Sequence, residues 1–296
     1  MALRRGALAL VLIGTAAGQA LAGPAADFFT DYGDYNDEGR TFLDKIDAQT
    51  GLIELPNGVN LALGDKFYFV NSEDARAILT EAWGNPPDTS LTVAGMIFPG
   101  RLSPLGEGWG IELRPDPIGY VDDSDAATID YDELLQSMQS DTDAANPERI
   151  KAGYEAVKLI GWAETPTYDA ANKRLYWAKE LKFGDSDKNT LNYDIRFLNR
   201  EGVLVMSYIA TMEQLPEVTK SVPEVLQSVS FDEGKRYADF VPGVDQVAAV
   251  GIGGLIAGKV LAKAGLLVVA LAFLKKFGVL LVLPLVWAWR WFRGRA

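Results

Sequence analysis

The chain has 296 residues, a formal net charge of −12, and neither cysteine nor histidine. It therefore has no disulfide, thiol nucleophile or iron–sulfur cluster. Within one chain it also has no serine–histidine–acid triad, no cysteine–histidine dyad and no ordinary zinc site. Residues 1–22 carry Arg4 and Arg5 without an acid, residues 243–296 carry seven Lys/Arg and only Asp245, and the 19 bases and 39 acids between them give a net −20. Such a body repels nucleic acid, while its basic ends suit an anionic membrane surface.

The first element in chain order is "MALRRGALALVLIGTAAGQALAG". Arg4 and Arg5, the short apolar run Ala7–Ala17 and the small-x-small triplet Ala20-Leu21-Ala22 predict a signal peptide over 1–22 with a mature start near Gly23. An uncleaved anchor is the alternative, but the apolar run is short for a span. Thr50–Leu63 reads as a hairpin around Asn57-Gly58, a dipeptide that takes the left-handed conformations a two-residue turn needs. Asn71 or Ser72 then caps a helix running to about Trp83, with acids in its first turn, and "GNPPDTS" stops it.

Leu91–Phe98 and Trp109–Arg114 read as strands. Asp130 to about Val157 reads as a helix broken near Asn146-Pro147, because Leu134, Leu135, Met138, Ile150, Tyr154 and Val157 recur near a 3.6 period. Val157–Ala163, Leu175–Phe183, Leu191–Leu198 and "VLVMSYIAT" then predict a meander, with "TPTYDAANKR" as the turn region after the first strand. Leu191, Tyr193, Ile195 and Phe197 alternate with Asn192, Asp194 and Arg196, so one face is expected in the core and the other to carry solvated ion pairs with Lys179 and Glu180. Trp162 and Trp177 anchor the buried face or one edge. A last helix is expected near Val222–Val229. Hairpins dominate and helices do not alternate regularly with strands, so the fold class is α+β: a largely antiparallel sheet of hairpins and a meander, a few helices, and a C-terminal membrane helix region.

After "YADFVPGVD" the chain turns apolar, in the runs Val247–Gly258, Ala264–Leu274 and Phe277–Trp289. A span over Leu266–Val286 gains about −4 to −9 kcal/mol from its Leu, Val and Phe side chains and loses about +5 to +7 kcal/mol at Lys275 and Lys276. A span from Phe277 avoids that cost but is short. Trp287, Trp289 and Trp291 look like an interfacial aromatic belt, and Arg290, Arg293 and Arg295 mark a cytoplasmic end. A cleaved signal then requires an odd number of crossings, one being expected. A two-crossing hairpin turning at Lys275-Lys276 is the rival. Val247–Leu274 would lie in the interface or pack on the span, and Gly254-Leu-Ile-Ala-Gly258 is a helix-pairing motif that also arises from composition. Three regions follow: a signal peptide (1–22), an acidic extracytoplasmic α+β domain (23–242) and an anchoring segment with a basic tail (243–296).

Few constellations carry chemistry. The densest acidic stretch is "YVDDSDAATIDYDELL", where Asp123 and Asp125 have an i, i+2 calcium-like spacing. An EF-hand loop does not fit, since Thr128 and Leu134 stand where glycine and glutamate are needed. These two residues are the candidate divalent-cation site. The bland reading is that Asp130 or a neighbour caps the following helix and the rest is solvated. Nucleotide loops and serine-hydrolase motifs are missing.

The motifs "WGNPP" (83–87), "GMIFPG" (95–100), "GYVDDSDA" (119–126), "GWAETPTYD" (161–169), "LYWAKEL" (175–181), "LNYDIRFLNREGVLV" (191–205) and "YADFVPGVDQVAAVGIGGLIAG" (237–258) stand in one order. In that order the chain, from roughly Thr50 to Gly258, resembles the bacterial membrane-anchored proteins of domain-of-unknown-function family 2167. The resemblance implies a signal-led, C-terminally anchored envelope protein and brings no activity, cofactor or catalytic residue with it. The expected location is the bacterial inner membrane with the body on the periplasmic side. The expected partners are membrane lipid and either an envelope protein or a second copy of the chain, without nucleic acid. The expected function is a binding or accessory domain. The alternative is a histidine-free hydrolase of envelope polymers using paired Asp/Glu, which needs two carboxyls facing one cleft about 5 to 9.5 Å apart.

Overall fold

The computed structural model describes residues 20–21, 24–85 and 92–258. In chain order the elements are β1 (Ala20–Leu21), α1 (Ala25–Phe28), α2 (Asp37–Leu43), β2 (Gln49–Thr50), β3 (Leu52–Leu55), β4 (Val59–Ala62) and β5 (Phe67–Asn71). They continue with α3 (Ser72–Ala77), extended by a wider π-type turn over Ile78–Ala82, then β6 (Gly95–Pro99), β7 (Gly110–Asp116) and α4 (Tyr131–Lys151). The last are β8 (Val157–Asp169), β9 (Arg174–Phe183), β10 (Thr190–Asn199), β11 (Gly202–Thr211), α5 (Leu215–Ser228), β12 (Val229–Phe231) and α6 (Ile252–Ala257). Nine strands make one sheet in the order β1-β2-β5-β6-β7-β11-β10-β9-β8, and β12-β4-β3 make a second. Every pairing of these strands is antiparallel. The fold is α+β.

Local signals explain most of the elements. Asn57 and Gly58 take φ of 68° and 73°, the conformation that a two-residue turn between β3 and β4 demands. Asn71 caps α3 by accepting hydrogen bonds from the backbone N–H groups of Glu73 (2.8 Å) and Asp74 (3.1 Å). Asp130 does the same for α4 through Asp132 and Glu133, satisfying amides that the first turn leaves unpaired. The last predicted helix is present but longer, beginning at Leu215 with Pro216 in its first turn.

The nine-stranded sheet is covered on both faces. On one face Leu191, Tyr193, Ile195, Phe197, Leu204, Met206 and Tyr208 pack beneath the small sheet and α5, whose Val218, Val222 and Val225 complete that core. On the other face Tyr68, Val70, Met96 and Phe98 lie under α1, α2 and α3. Further along that face Leu175, Trp177, Leu198, Val203 and Val205 share a core with Met138 of α4 and Ile252 and Ile256 of α6. The expected solvated outer face of β10 is therefore corrected: Asn192 and Asp194 are each 3% exposed. Two-face burial explains why β5, β6 and β11 read as nearly continuous apolar runs.

Several boundaries also differ from expectation: β6 starts at Gly95 and not at Leu91, and α4 ends at Lys151, short of Val157, which opens β8. The helix does not break at Pro147; α4 carries it internally. Side chains on either part of the helix hold it against the edge strand β8. Gln139 donates to the carbonyls of Leu159 (3.2 Å) and Ile160 (3.1 Å), and Asn146 both donates to the Val157 carbonyl (2.9 Å) and accepts from its N–H (2.8 Å). These contacts offset the hydrogen bond that proline removes. Conversely, β8 does not end at Ala163 but runs to Asp169, with three register irregularities between Leu159 and Thr167. Bulges on an edge strand accommodate Pro166 and blunt the edge against pairing with another chain.

No helix among the described residues is long and apolar enough to cross a membrane. The anchor residues Phe277, Trp287, Trp289, Arg290, Trp291, Arg293 and Arg295 lie outside the described residues, as do Arg4 and Arg5. Ala20 and Leu21 pair with Thr50 and Gln49 at the sheet edge.

Candidate functional site

The acidic stretch nominated by sequence lies at one end of the large sheet, against the last described residues of the chain. Asp123 Oδ2 accepts hydrogen bonds from the Tyr168 hydroxyl (2.5 Å) and Lys173 Nζ (2.6 Å), and its Oδ1 accepts from the Tyr237 hydroxyl (3.1 Å). Burial works to raise the Asp123 pKa, but the Lys173, Tyr168 and Tyr237 donors outweigh it and hold the carboxyl below its ordinary value. The Tyr168 and Tyr237 hydroxyls are pushed the other way, chiefly by burial and then by neighbours that include this carboxylate. A lysine ammonium thus occupies the place beside Asp123 where a cation would bind. Asp125 has different partners and accepts from the Ile252 (2.9 Å) and Gly253 (3.1 Å) amides. It caps α6 from a distance in sequence, because the cap residue, Gly251, has no side chain. A Cβ on Gly251 would come within 2.6 Å of the Asp125 carboxylate, so glycine there is what lets the cap in. Among the described residues no group of three or more carboxylates could hold a metal ion.

Neighbouring contacts close the same junction. Tyr120 exchanges backbone hydrogen bonds with Gln246 and Ala248, both 2.8 Å. Its ring stacks on Phe240 at 3.8 Å between centroids and lies 4.4 Å from Tyr237. Gly119 sits at φ +96°, and a Cβ there would meet the Gln246 carbonyl oxygen at 2.9 Å, so this approach needs glycine twice over. Arg200 grips Asp245 with two parallel bonds of 2.8 Å. The arrangement is a clasp: the turns after β7, β8 and β10 hold residues 237–257 against the body. Residues 243–258 are thereby part of the packed body, with Ile252, Gly254 and Ile256 buried. Gly254 of the GxxxG motif faces the protein core, and Gly258, at φ +67°, ends α6 in a left-handed cap. Sequence reading found Asp123 and Asp125 but not their partners, which come from distant turns; the signal was Gly119, which admits the Gln246–Ala248 backbone, and Gly251, which admits the Asp125 carboxylate.

A second polar cluster lies between the two cores on the helical face of the sheet. The strand register places Met96, Glu112, Ser207, Asp194 and Trp177 in one row across β6, β7, β11, β10 and β9. Asp194 accepts from Ser207 Oγ (2.7 Å), pairs with Lys179 (3.2 Å) and pairs with Arg196 (3.2 Å), whose guanidinium lies 5.0 Å from the centre of the Trp177 ring system. Burial alone would raise the Asp194 pKa, but Lys179, Arg196 and Ser207 pull it down to about 2. Glu112 is shifted the opposite way: burial raises it, and the nearby Asp194 charge adds to the effect against Arg114 and Arg196. Its Oε1 has no hydrogen-bond partner. A carboxyl held proton-rich beside one held ionised is the acid/base asymmetry that hydrolysis uses. Here, however, both carboxyls are buried in the sheet, and the shallow depressions found on the surface lie elsewhere. One, of about 200 Å³, runs between Lys173, Phe197 and Arg236; another lies between α4 and β8.

Residues 47–286 match the family model described as "Protein of unknown function (DUF2167)". The chain belongs to this family. The DUF2167 span takes in the whole clasp and continues past Gly258 through most of the apolar segment, so body and apolar tail fall within one family unit. No curated protein matches the chain. Among solved structures, the solution structure of cyanobacterial PsbP (CyanoP) from Synechocystis sp. PCC 6803 is similar over 61% of this chain and 91% of its own, at 10% identity and a TM-score of 0.35. A likeness that distant carries no argument about this DUF2167 chain.

Proposed function

We propose that this chain is a non-enzymatic envelope protein: an acidic α+β binding or accessory domain, exported by residues 1–22 and held at the inner membrane by the apolar, basic segment 259–296. One observation carries the reading. Asp123, Asp125, Tyr120 and Arg200 all close on residues 237–253, immediately before the apolar segment. A flexible leash would need no such closure; a tether that sets the pose of the domain does. The body is tied to the residues that precede its anchor through part-buried, multiply bonded contacts, and in sequence the apolar segment follows directly after Gly258. Membrane lipid is the direct partner, and the domain presents its surface to an envelope protein or a second copy at a fixed height.

The test is topology in native membranes. The full chain is expected to resist alkaline extraction, to lose its N-terminal residues ahead of Gly23, and to be degraded by protease added to spheroplasts. A full-length product recovered in the soluble cytosolic fraction with Met1 in place would refute the reading. The competing hydrolase needs an open cleft between its carboxyls, and the oppositely shifted Glu112 and Asp194 are buried in the sheet.

A further inference from the structure

Large exposed apolar side chains are scattered singly over the described surface at Leu102, Ile150 and Ile160, but three more fall within seven residues: Val241 at 41%, Val244 at 76% and Val247 at 55% exposure. Single exposed apolar residues are ordinary, whereas a local concentration marks a contact surface. The loop that carries them is held firmly. Asp245 accepts from the Val241 amide at 2.7 Å and from both arms of Arg200, which also neutralises the only charge between Val241 and Val250. Val247 is bridged to Tyr120, itself stacked on Phe240. Val244 therefore projects from a braced turn.

What covers them follows from where the chain goes. The described residues end at Gly258, and residues 259–296 continue with long apolar runs and Lys259 and Lys263 close by. The ridge is only eleven residues from that point, and the intervening α6 is folded against the body. A bilayer entered by the tail is then at very high effective concentration next to the ridge. The ridge also lacks the exposed tryptophan, tyrosine or arginine anchors on which tight protein interfaces depend, and the one charge within it, Asp245, is already paired with Arg200. We propose that Val241, Val244 and Val247 form a membrane-contact ridge that dips into the bilayer surface and, with the tail, fixes the tilt of the sheet. This rests on the tethered reading above.

The natural lack of cysteine allows the experiment. Val244→Cys in the full chain, labelled with an environment-sensitive fluorophore, is reconstituted into vesicles containing a lipid with a nitroxide at the headgroup. Asp187→Cys in the β9–β10 turn serves as control; it sits at the other end of β10, roughly 30 Å from the clasp by strand rise. The expected result is loss of emission from the label at 244 and none from the label at 187. Equal, negligible quenching at both sites in chains that co-float with the vesicles would overturn the ridge and leave the tether standing. Protection of the label at 244 from both the nitroxide lipid and aqueous iodide would also overturn it, placing protein on the ridge. Failure of the chain to co-float would overturn both readings.

Discussion

Asp194 and Glu112 stand one residue apart in the same cross-strand row, with Ser207 between them, yet their surroundings drive them in opposite directions. Two cations and a hydroxyl point at Asp194, so its ionised form is the stable one. Its pKa near 2 lies below the unfolded value, so its contribution to stability is complete above the ordinary carboxylate range and is lost as pH falls from there toward 2. Asp194→Asn removes one side of a buried pair and leaves Lys179 and Arg196 uncompensated, which is expected to cost about 3–5 kcal/mol in denaturant unfolding near neutral pH. Glu112 carries the reverse sign. Its folded pKa is raised, so the folded state binds a proton that the unfolded state has already released, and stability falls as pH rises from the ordinary glutamate value through the raised one. Glu112→Gln is therefore expected to melt higher than the parent at about pH 8 and at the same temperature once the pH is below the glutamate range. A uniform shift at both pH values would show that packing, not ionisation, is what the substitution changes.

The strand-bounded elements were legible where local chemistry decides. Asn57-Gly58, the Asn71 cap and the alternation in β10 each specify their own geometry within a few residues. What could not be read from pattern was the environment of the second face of β10. Polar residues at alternate positions look solvated unless one knows that helices pack on both sides of them, and that is a property of residues far away in sequence. The same holds for α4, where Pro147 gives a local stop signal and a tertiary contact overrules it. Asn146 pairs with Val157 as a neighbouring strand would, so the helix end and the strand start support each other. Asn146→Ala leaves the Val157 amide and carbonyl without those partners, at an expected cost of about 1–3 kcal/mol. Hydrogen exchange locates the effect: the Val157 amide is expected to lose protection while the β10–β11 amides keep theirs. Unchanged protection at Val157 would mean that β8 does not rely on the helix.

At the scale of the whole molecule, the clasp marks the division between the sheet and the residues that lead to the apolar segment. Asp123 and Asp125 were visible in the sequence as an acidic pair, but their spacing says nothing of Tyr168, Lys173, Tyr237 or Ile252, which converge only through the closure of three separate turns. The division makes a prediction about cooperativity. The Asp125 side chain caps α6 through the Ile252 and Gly253 amides, so Asp125→Ala should remove a helix cap worth about 1 kcal/mol from the junction while leaving the nine-stranded sheet intact. Residues 237–257 are then expected to exchange amide protons faster and to become sensitive to limited proteolysis near Gly251, with the main thermal transition shifted little. Gly251→Ala should give the same pattern, because its Cβ would enter the space of the same carboxylate. If either substitution instead lowers the main transition along with the junction, α6 folds as part of the sheet's own cooperative unit and the clasp is a core element. If the pattern is as expected, the pose of the domain on its tether can be loosened without unfolding the domain, which separates the energy that makes the fold from the energy that aims it.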